Sequence, residues 1–252
     1  MKKIFAVSNH KGGVGKTTST VNIGAALALK NFKVLLIDLD SQANLTQSLG
    51  IKNPDYNIYD YLRGRTPILP IEAKNNLYVI PSTLDLAAAE LELNSEPGRE
   101  YILKEIIKQT DSSFDYVLID CPPSLGLLTI NALTAAHRVI IPLQAEFLPL
   151  KGLAKLNEVI EKIKLRLNPD LEIGGVLFTQ YDQRKIMNKE ISQNIKAVFG
   201  NKIFETTISN NVALAEAPGE GKDIFHYNKS CRGALDYKTL CDEIINLEVN
   251  YG

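Results

Sequence analysis

Cysteine is scarce in these 252 residues and follows no pattern: Cys121, Cys231 and Cys241 form an odd count without metal-ligand spacing. That excludes a disulfide framework and reads as reduced thiols in a cytosolic protein. Net charge is also lacking, at −1. No global field therefore draws the chain to nucleic acid or membrane, and any such binding must come from a local patch. No stretch approaches the roughly 20 apolar residues of a membrane span. The apolar run after Met1-Lys2-Lys3 meets polar Ser8 and Asn9 too soon to serve as a secretory signal. Internal repeats, low-complexity runs and Pro/Gly linkers are missing. The chain is therefore read as one domain, residues 1–252, with no N-terminal DNA-reading domain ahead of it.

What is present is alternation. Short apolar runs at Ile4–Val7, Val34–Ile37, Leu77–Ile80, Val117–Ile119, Val139–Leu143 and Val176–Phe178 read as strands buried on both faces. Helical patterns lie between and beyond them, at Thr17–Lys30, Tyr101–Lys108, Leu125–Ala135, Leu150–Leu167, Lys185–Phe199 and Ala234–Leu247. The segment Asn53–Lys74 is the least regular, with room for a short helix at Ile58–Leu62. Repeated βαβ units imply an α/β fold: a single doubly wound, mostly parallel sheet flanked by helices. Binding chemistry is expected at the carboxyl ends of its strands.

The first strand runs into Lys11-Gly12-Gly13-Val14-Gly15-Lys16-Thr17-Thr18 and then into a helix. That is the strand–loop–helix setting of a phosphate-binding loop. Glycines let backbone N–H groups converge on phosphate oxygens, and the helix N-terminus adds partial positive charge. Lys16 is placed to reach the β- and γ-phosphates, and the Thr17 hydroxyl to ligate Mg²⁺. The usual pattern has glycine at position 10, where this chain has His10, followed by a second lysine, Lys11. The second strand ends in Asp38-Leu39-Asp40, two carboxylates that point the same way, one for the Mg²⁺ shell and one to orient a water. A further strand ends in Asp120-Cys121-Pro122-Pro123-Ser124, the form of a Walker B element in which Asp120 holds Mg²⁺ and the prolines stiffen a phosphate-sensing turn. Cys121 reads as a passive small thiol.

Lys11–Thr18, Asp38-Leu39-Asp40 with Gln42, Asp120 with Pro122-Pro123-Ser124, and the segment from Leu214 through Pro218 to Lys222 together resemble the ParA/Soj family of DNA-partitioning ATPases. That family belongs to the deviant Walker A, or ParA/MinD, group of P-loop proteins. The resemblance runs from Lys2 to about Leu247. It implies ATP and Mg²⁺ as ligands, bound at Lys11, Gly12, Gly13, Val14, Gly15, Lys16, Thr17 and Thr18. Lys11 corresponds to the signature lysine that reaches the partner subunit's nucleotide. Thr18 corresponds to an α-phosphate contact, Asp40 to the water-positioning aspartate, Asp120 to the Walker B aspartate and Asn211 to an adenine contact. It also implies a homodimer in the ATP state, nonspecific double-stranded DNA as track, and a ParB/Spo0J-like centromere-binding partner that stimulates hydrolysis. The place of action is the cytoplasm, on the nucleoid, with no membrane.

The chain departs from the family pattern at Ser41 and Ser209, where proline is usual, and at Asn210 and Ala213, where arginine is common. DNA contacts are therefore sought elsewhere. Between Arg184 and Arg232 there are eight Lys/Arg and five Asp/Glu. Lys185, Lys189 and Lys196 share one helix face, with Ile191, Ile195 and Val198 on roughly the other. Joined by Lys202, Lys222, Lys229 and Arg232, that face would track phosphates in a salt-sensitive, sequence-tolerant way. Three other functions share this loop. A MinD-like membrane or protein-positioning ATPase needs a basic amphipathic C-terminal helix, whereas Asp242 and Glu243 make this one acidic. An iron–sulfur reductase needs two well-placed cysteines, and only Cys121 is near the switch loop. A tyrosine kinase of this type needs a C-terminal tyrosine cluster, and only Tyr251 is there.

Overall fold

The computed structural model describes residues 2–145, 149–182, 184–200 and 202–251, without the side chains of 149–151, 187, 189 and 248–251. The elements, in chain order, are β1 (Lys3–Val7), α1 (Lys16–Leu29), β2 (Val34–Asp38), α2 (Asn44–Ser48), α3 (Ile58–Leu62), β3 (Ile71–Lys74), β4 (Leu77–Ile80), α4 (Leu86–Glu92) and α5 (Ile102–Gln109). They continue as β5 (Tyr116–Asp120), α6 (Leu127–Ala135), β6 (Arg138–Gln144), α7 (Pro149–Arg166), β7 (Glu172–Thr179), α8 (Ile186–Phe199), α9 (Val212–Glu216), α10 (Ile224–Asn228) and α11 (Arg232–Tyr251).

The strands form one seven-stranded sheet in the order β3-β4-β2-β5-β1-β6-β7. Every pairing is parallel except β3 with β4. This is the doubly wound sheet that the alternation implies. β3 is an addition: it lies within Asn53–Lys74, the stretch read as irregular, and its half-exposed pattern at an antiparallel edge gives no apolar run to find.

Strand side chains alternate between two cores. Leu35, Ile37, Val117, Ile119, Val139 and Ile141 pack on one face with residues of α3, α5, α6 and α7. Val34, Leu36, Tyr116, Leu118 and Ile140 pack on the other with residues of α1, α10 and α11. α1 lies so close to β2 that a Cβ on Gly24 would sit 2.6 Å from a Leu36 methyl. That contact fixes the helix whose first turn faces the site.

β1 lies between β5 and β6 and is the shorter neighbour: its pairing with β6 stops at Val7–Ile140, continued only by the Ser8 N–H to the Ile140 carbonyl at 3.1 Å. Pro142 is therefore tolerated inside β6, because β1 has ended beside it and no ladder N–H is needed. Its carbonyl instead accepts from the Asn9 side-chain amide at 2.7 Å. The chain leaving β1 is thereby tied down where the sheet's winding direction reverses, the place where such folds bind ligands.

Candidate functional site

Asn9 is buried, and its side-chain oxygen accepts the Lys11 N–H at 3.0 Å, so the loop starts from a fixed point. Gly13 and Gly15 have φ of +74° and +81°, backbone that favours glycine, and Gly15 stands at the head of α1. A Cβ at Gly12 or Gly13 would meet nothing within 4 Å, so the loop opens onto free space that an anion can enter. The His10 ring lies over Gly152 near the start of α7, where any side chain would collide with it.

The two lysines differ in placement. Lys16 is 7% exposed, and its ammonium donates to the Lys11 carbonyl at 3.1 Å. Burial lowers its pKa, while Asp120, Cys121 and Asp40 pull the other way. Lys11 is exposed at the rim of the loop.

Asp38 and Asp120 end adjacent strands in register. Asp120 accepts from the Thr17 hydroxyl at 2.7 Å and from Thr20 at 3.3 Å. Burial, and then the charge of Asp38, raise its pKa to about 8. Asp38 is also fully buried, but its oxygens accept from the Thr46 hydroxyl at 2.7 Å, the Thr46 N–H at 3.0 Å and the Asp40 N–H at 3.1 Å. Burial raises its pKa to about 6, against those hydrogen bonds. Asp38 and Asp40, paired in the sequence reading, are thus held by different partners. Asp38 faces inward and anchors α2, while Asp40 stands past the strand end, partly exposed, with one oxygen accepting the Gln42 N–H at 3.0 Å.

An Asp120 carboxyl whose ionised form is penalised by burial, beside the Thr17 hydroxyl, fits a Mg²⁺ ion. Among the described residues no cluster of three or more His, Cys, Asp or Glu side chains is set to hold a metal by itself. Cys121 is buried, and burial pushes its thiol well above the usual range, which keeps it protonated.

Beside the loop is a cavity of about 200 Å³ lined by Gly15, Thr18, Gln180, Asn211, Leu214 and Tyr237, among others. Asn211 caps α9 by accepting the Ala213 N–H at 3.0 Å. Tyr237 reaches Ser19 of α1, oxygen to oxygen, at 3.0 Å. The segment between α9 and α10 packs on the aspartate side of the site, since a Cβ at Gly221 would sit 2.9 Å from the Gly50 backbone. Larger hollows between α3 and α5 and between α7 and α8 lack any phosphate-binding loop. Size alone does not locate this site.

The basic residues between Arg184 and Arg232 are not gathered into one surface. Lys185 and Lys196 are exposed at the two ends of α8, and the Lys189 side chain lies outside the described residues. Val198 is 67% exposed, which corrects the expected apolar stripe. α8 instead buries Asn188, Ser192 and Ile195, with Ile191 and Phe199 partly covered. Lys202 borders the hollow next to Glu158 and Glu161 of α7, while Lys229 borders a hollow of α1, α10 and α11 on the other face of the sheet. Lys222 lies 3.9 Å from Glu220, and Arg232 is bound to Asp236 at 2.8 Å.

Sequence reasoning missed Thr46, Asn9, Gln144, Thr179 and Gln180. The last three stand at the carboxyl ends of β6 and β7, where the topology rule alone would have directed attention.

A family model described as an AAA domain matches residues 2–173. The chromosome-partitioning ATPase Soj of Treponema pallidum is 44% identical over 248 residues, which is 97% of this chain and 98% of that one. A cobyrinic acid a,c-diamide synthase from Mycobacterium smegmatis, solved with ADP and magnesium, superposes with a TM-score of 0.86 at 35% identity, covering 98% of this chain and 95% of that one. A plasmid partition protein from Borrelia burgdorferi, solved with AMPPNP, gives 0.83 at 29% identity over the whole of both chains. With its variant phosphate loop, its paired strand-end aspartates and this likeness along nearly its full length, the chain belongs to the ParA/Soj family of partitioning ATPases, in the ParA/MinD group.

Proposed function

We propose that the chain, as one P-loop domain, is an ATPase that dimerises around ATP, binds double-stranded DNA nonspecifically in that state, and moves plasmid or chromosome cargo over the nucleoid. The observation that carries this is the contrast between the two loop lysines: Lys16 buried within its own loop, Lys11 exposed at its rim. A triphosphate enclosed between two subunits needs more positive charge than one subunit's Lys16 supplies, because unpaired phosphates buried at an interface are strongly unfavourable. Lys11 of each subunit serves the other's nucleotide.

The loop N–H groups from Gly12 to Thr18 hold the phosphates, Thr18 at the α-phosphate, and Asn211 contacts the adenine from the cavity beside Gly15. Thr17 and Asp120 would hold Mg²⁺, which would supply positive charge against the phosphates of the nucleotide. Asp40 orients the attacking water, and Asp38 fixes the Asp40 backbone that aims it. A ParB/Spo0J-like partner on the cargo stimulates hydrolysis, the subunits part, and DNA is released. Lys185, Lys189, Lys196, Lys202, Lys222, Lys229 and Arg232 are the DNA-facing set. Their spread over both faces of one subunit means that only part of the set meets one duplex.

DNA association measured with ATP, with ADP and without nucleotide, at two salt concentrations, tests this. ATP should promote binding, and added salt should weaken it steeply. Binding that ignores the nucleotide would sink the proposal.

A further inference from the structure

The phosphate loop is held from outside its own motif, and the hold converges on one atom. Gln144 closes β6 and Gln180 follows β7. Both side-chain amides donate to the Gly13 carbonyl oxygen, at 3.0 and 3.2 Å. The Thr179 hydroxyl donates to the next carbonyl, that of Val14, at 2.9 Å.

A peptide unit is planar and trans, so its C=O and N–H point opposite ways. Carbonyls of Gly13 and Val14 pinned toward the ends of β6 and β7 leave the N–H groups of Val14 and Gly15 turned away from those strands, toward the hollow of the loop. Gly13 has φ +74° and open space where a side chain would be, so packing does not fix this peptide. Gln180 has φ +49°, left-handed backbone that a non-glycine residue keeps only when its surroundings hold it there. Gln180 also lines the cavity next to Asn211, Gly15 and Thr18.

We propose that Gln144 and Gln180 are positioning residues for the polyphosphate: a double latch on the Gly13 carbonyl that keeps the Val14 N–H aimed at phosphate, next to the Gly15 N–H whose peptide Thr179 holds. Through Gln180 the same latch joins the phosphate loop to the base cavity. This rests on the nucleotide reading above. Two donors on one acceptor make the latch redundant. With one glutamine gone the carbonyl is still held; with both gone the Gly13–Val14 peptide is free to turn.

The test compares Gln144→Met, Gln180→Met and the double variant, each with a side chain of similar length and no donor. Mg-ADP affinity is read by calorimetry, and the melting temperature is measured without ligand. Each single variant should bind Mg-ADP within about twofold of the parent and the double about tenfold more weakly, the non-additive result of a shared partner. Ligand-free melting of the double variant should match the parent, which separates positioning from general loss of structure. An unchanged affinity in the double variant overturns the latch. So does a loss equal to the sum of the single effects, or one matched by a fall in ligand-free melting. A parent that fails to bind Mg-ADP overturns the nucleotide reading and takes the latch with it.

Discussion

β2 and β5 run side by side and end on paired aspartates, Asp38 opposite Asp120. The two strand ends share register, burial and residue type, yet they are committed differently. Asp38 spends its oxygens on Thr46 and on the Asp40 backbone, so it belongs to the scaffold. Asp120 accepts hydroxyls from Thr17 and Thr20, beside the phosphate loop. The difference teaches that an aspartate at a strand end is assigned by what the next loop offers it. The turn after β2 folds back and supplies Thr46; the Pro122-Pro123 turn after β5 does not.

That contrast breaks most sharply in hydrolysis. Asp120→Ala should reduce kcat for ATP by roughly 10²- to 10³-fold at saturating Mg²⁺, the scale of losing one electrostatic group at a reacting phosphate. Steady-state phosphate release measures it; a loss below tenfold would remove Asp120 from the metal site. Thr46→Val should act through folding first. It leaves Asp38 without its closest donor and the Ser82 N–H, 2.9 Å from the Thr46 hydroxyl, without an acceptor. A loss of about 1–3 kcal/mol is expected, a drop in melting temperature of roughly 3–10 °C. Calorimetry that finds no drop would contradict the scaffold role.

The smallest effect is in pH. The pKa of Asp38 rises from 3.8 to about 6 on folding. Between those values the folded state holds a proton that the unfolded state has released, so its contribution to stability falls as pH rises from about 4 to about 6. Melting of ligand-free Asp38→Asn across that range should slope less downward than the parent. Parallel curves would show that Asp38 does not titrate there.

Legibility in the sequence followed the same physics. β1, β2, β4, β5, β6 and β7 have apolar runs because helices cover both sheet faces; β3 escaped because it is a half-exposed edge. The phosphate loop was readable because its chemistry is contiguous, from Lys11 to Thr18. The inward turn of Asp38 was not, since its partner Thr46 is eight residues on, in a helix with no strong pattern. Gln144 and Gln180 are more than 130 residues from Gly13 and meet it only through strand order. Lys202 and Lys229 are near in sequence but lie on opposite sides of the sheet, which a count of charges along the chain cannot reveal.

The most direct test of the central claim is the subunit mass of the parent and of Lys11→Ala by analytical ultracentrifugation, with a non-hydrolysable ATP analogue and with ADP, each with Mg²⁺. The parent should be a dimer with the analogue and a monomer with ADP. Lys11→Ala should stay a monomer with both, while binding the analogue about as tightly as monomeric parent binds ADP. A Lys11→Ala protein that dimerises with the analogue as the parent does would contradict the account.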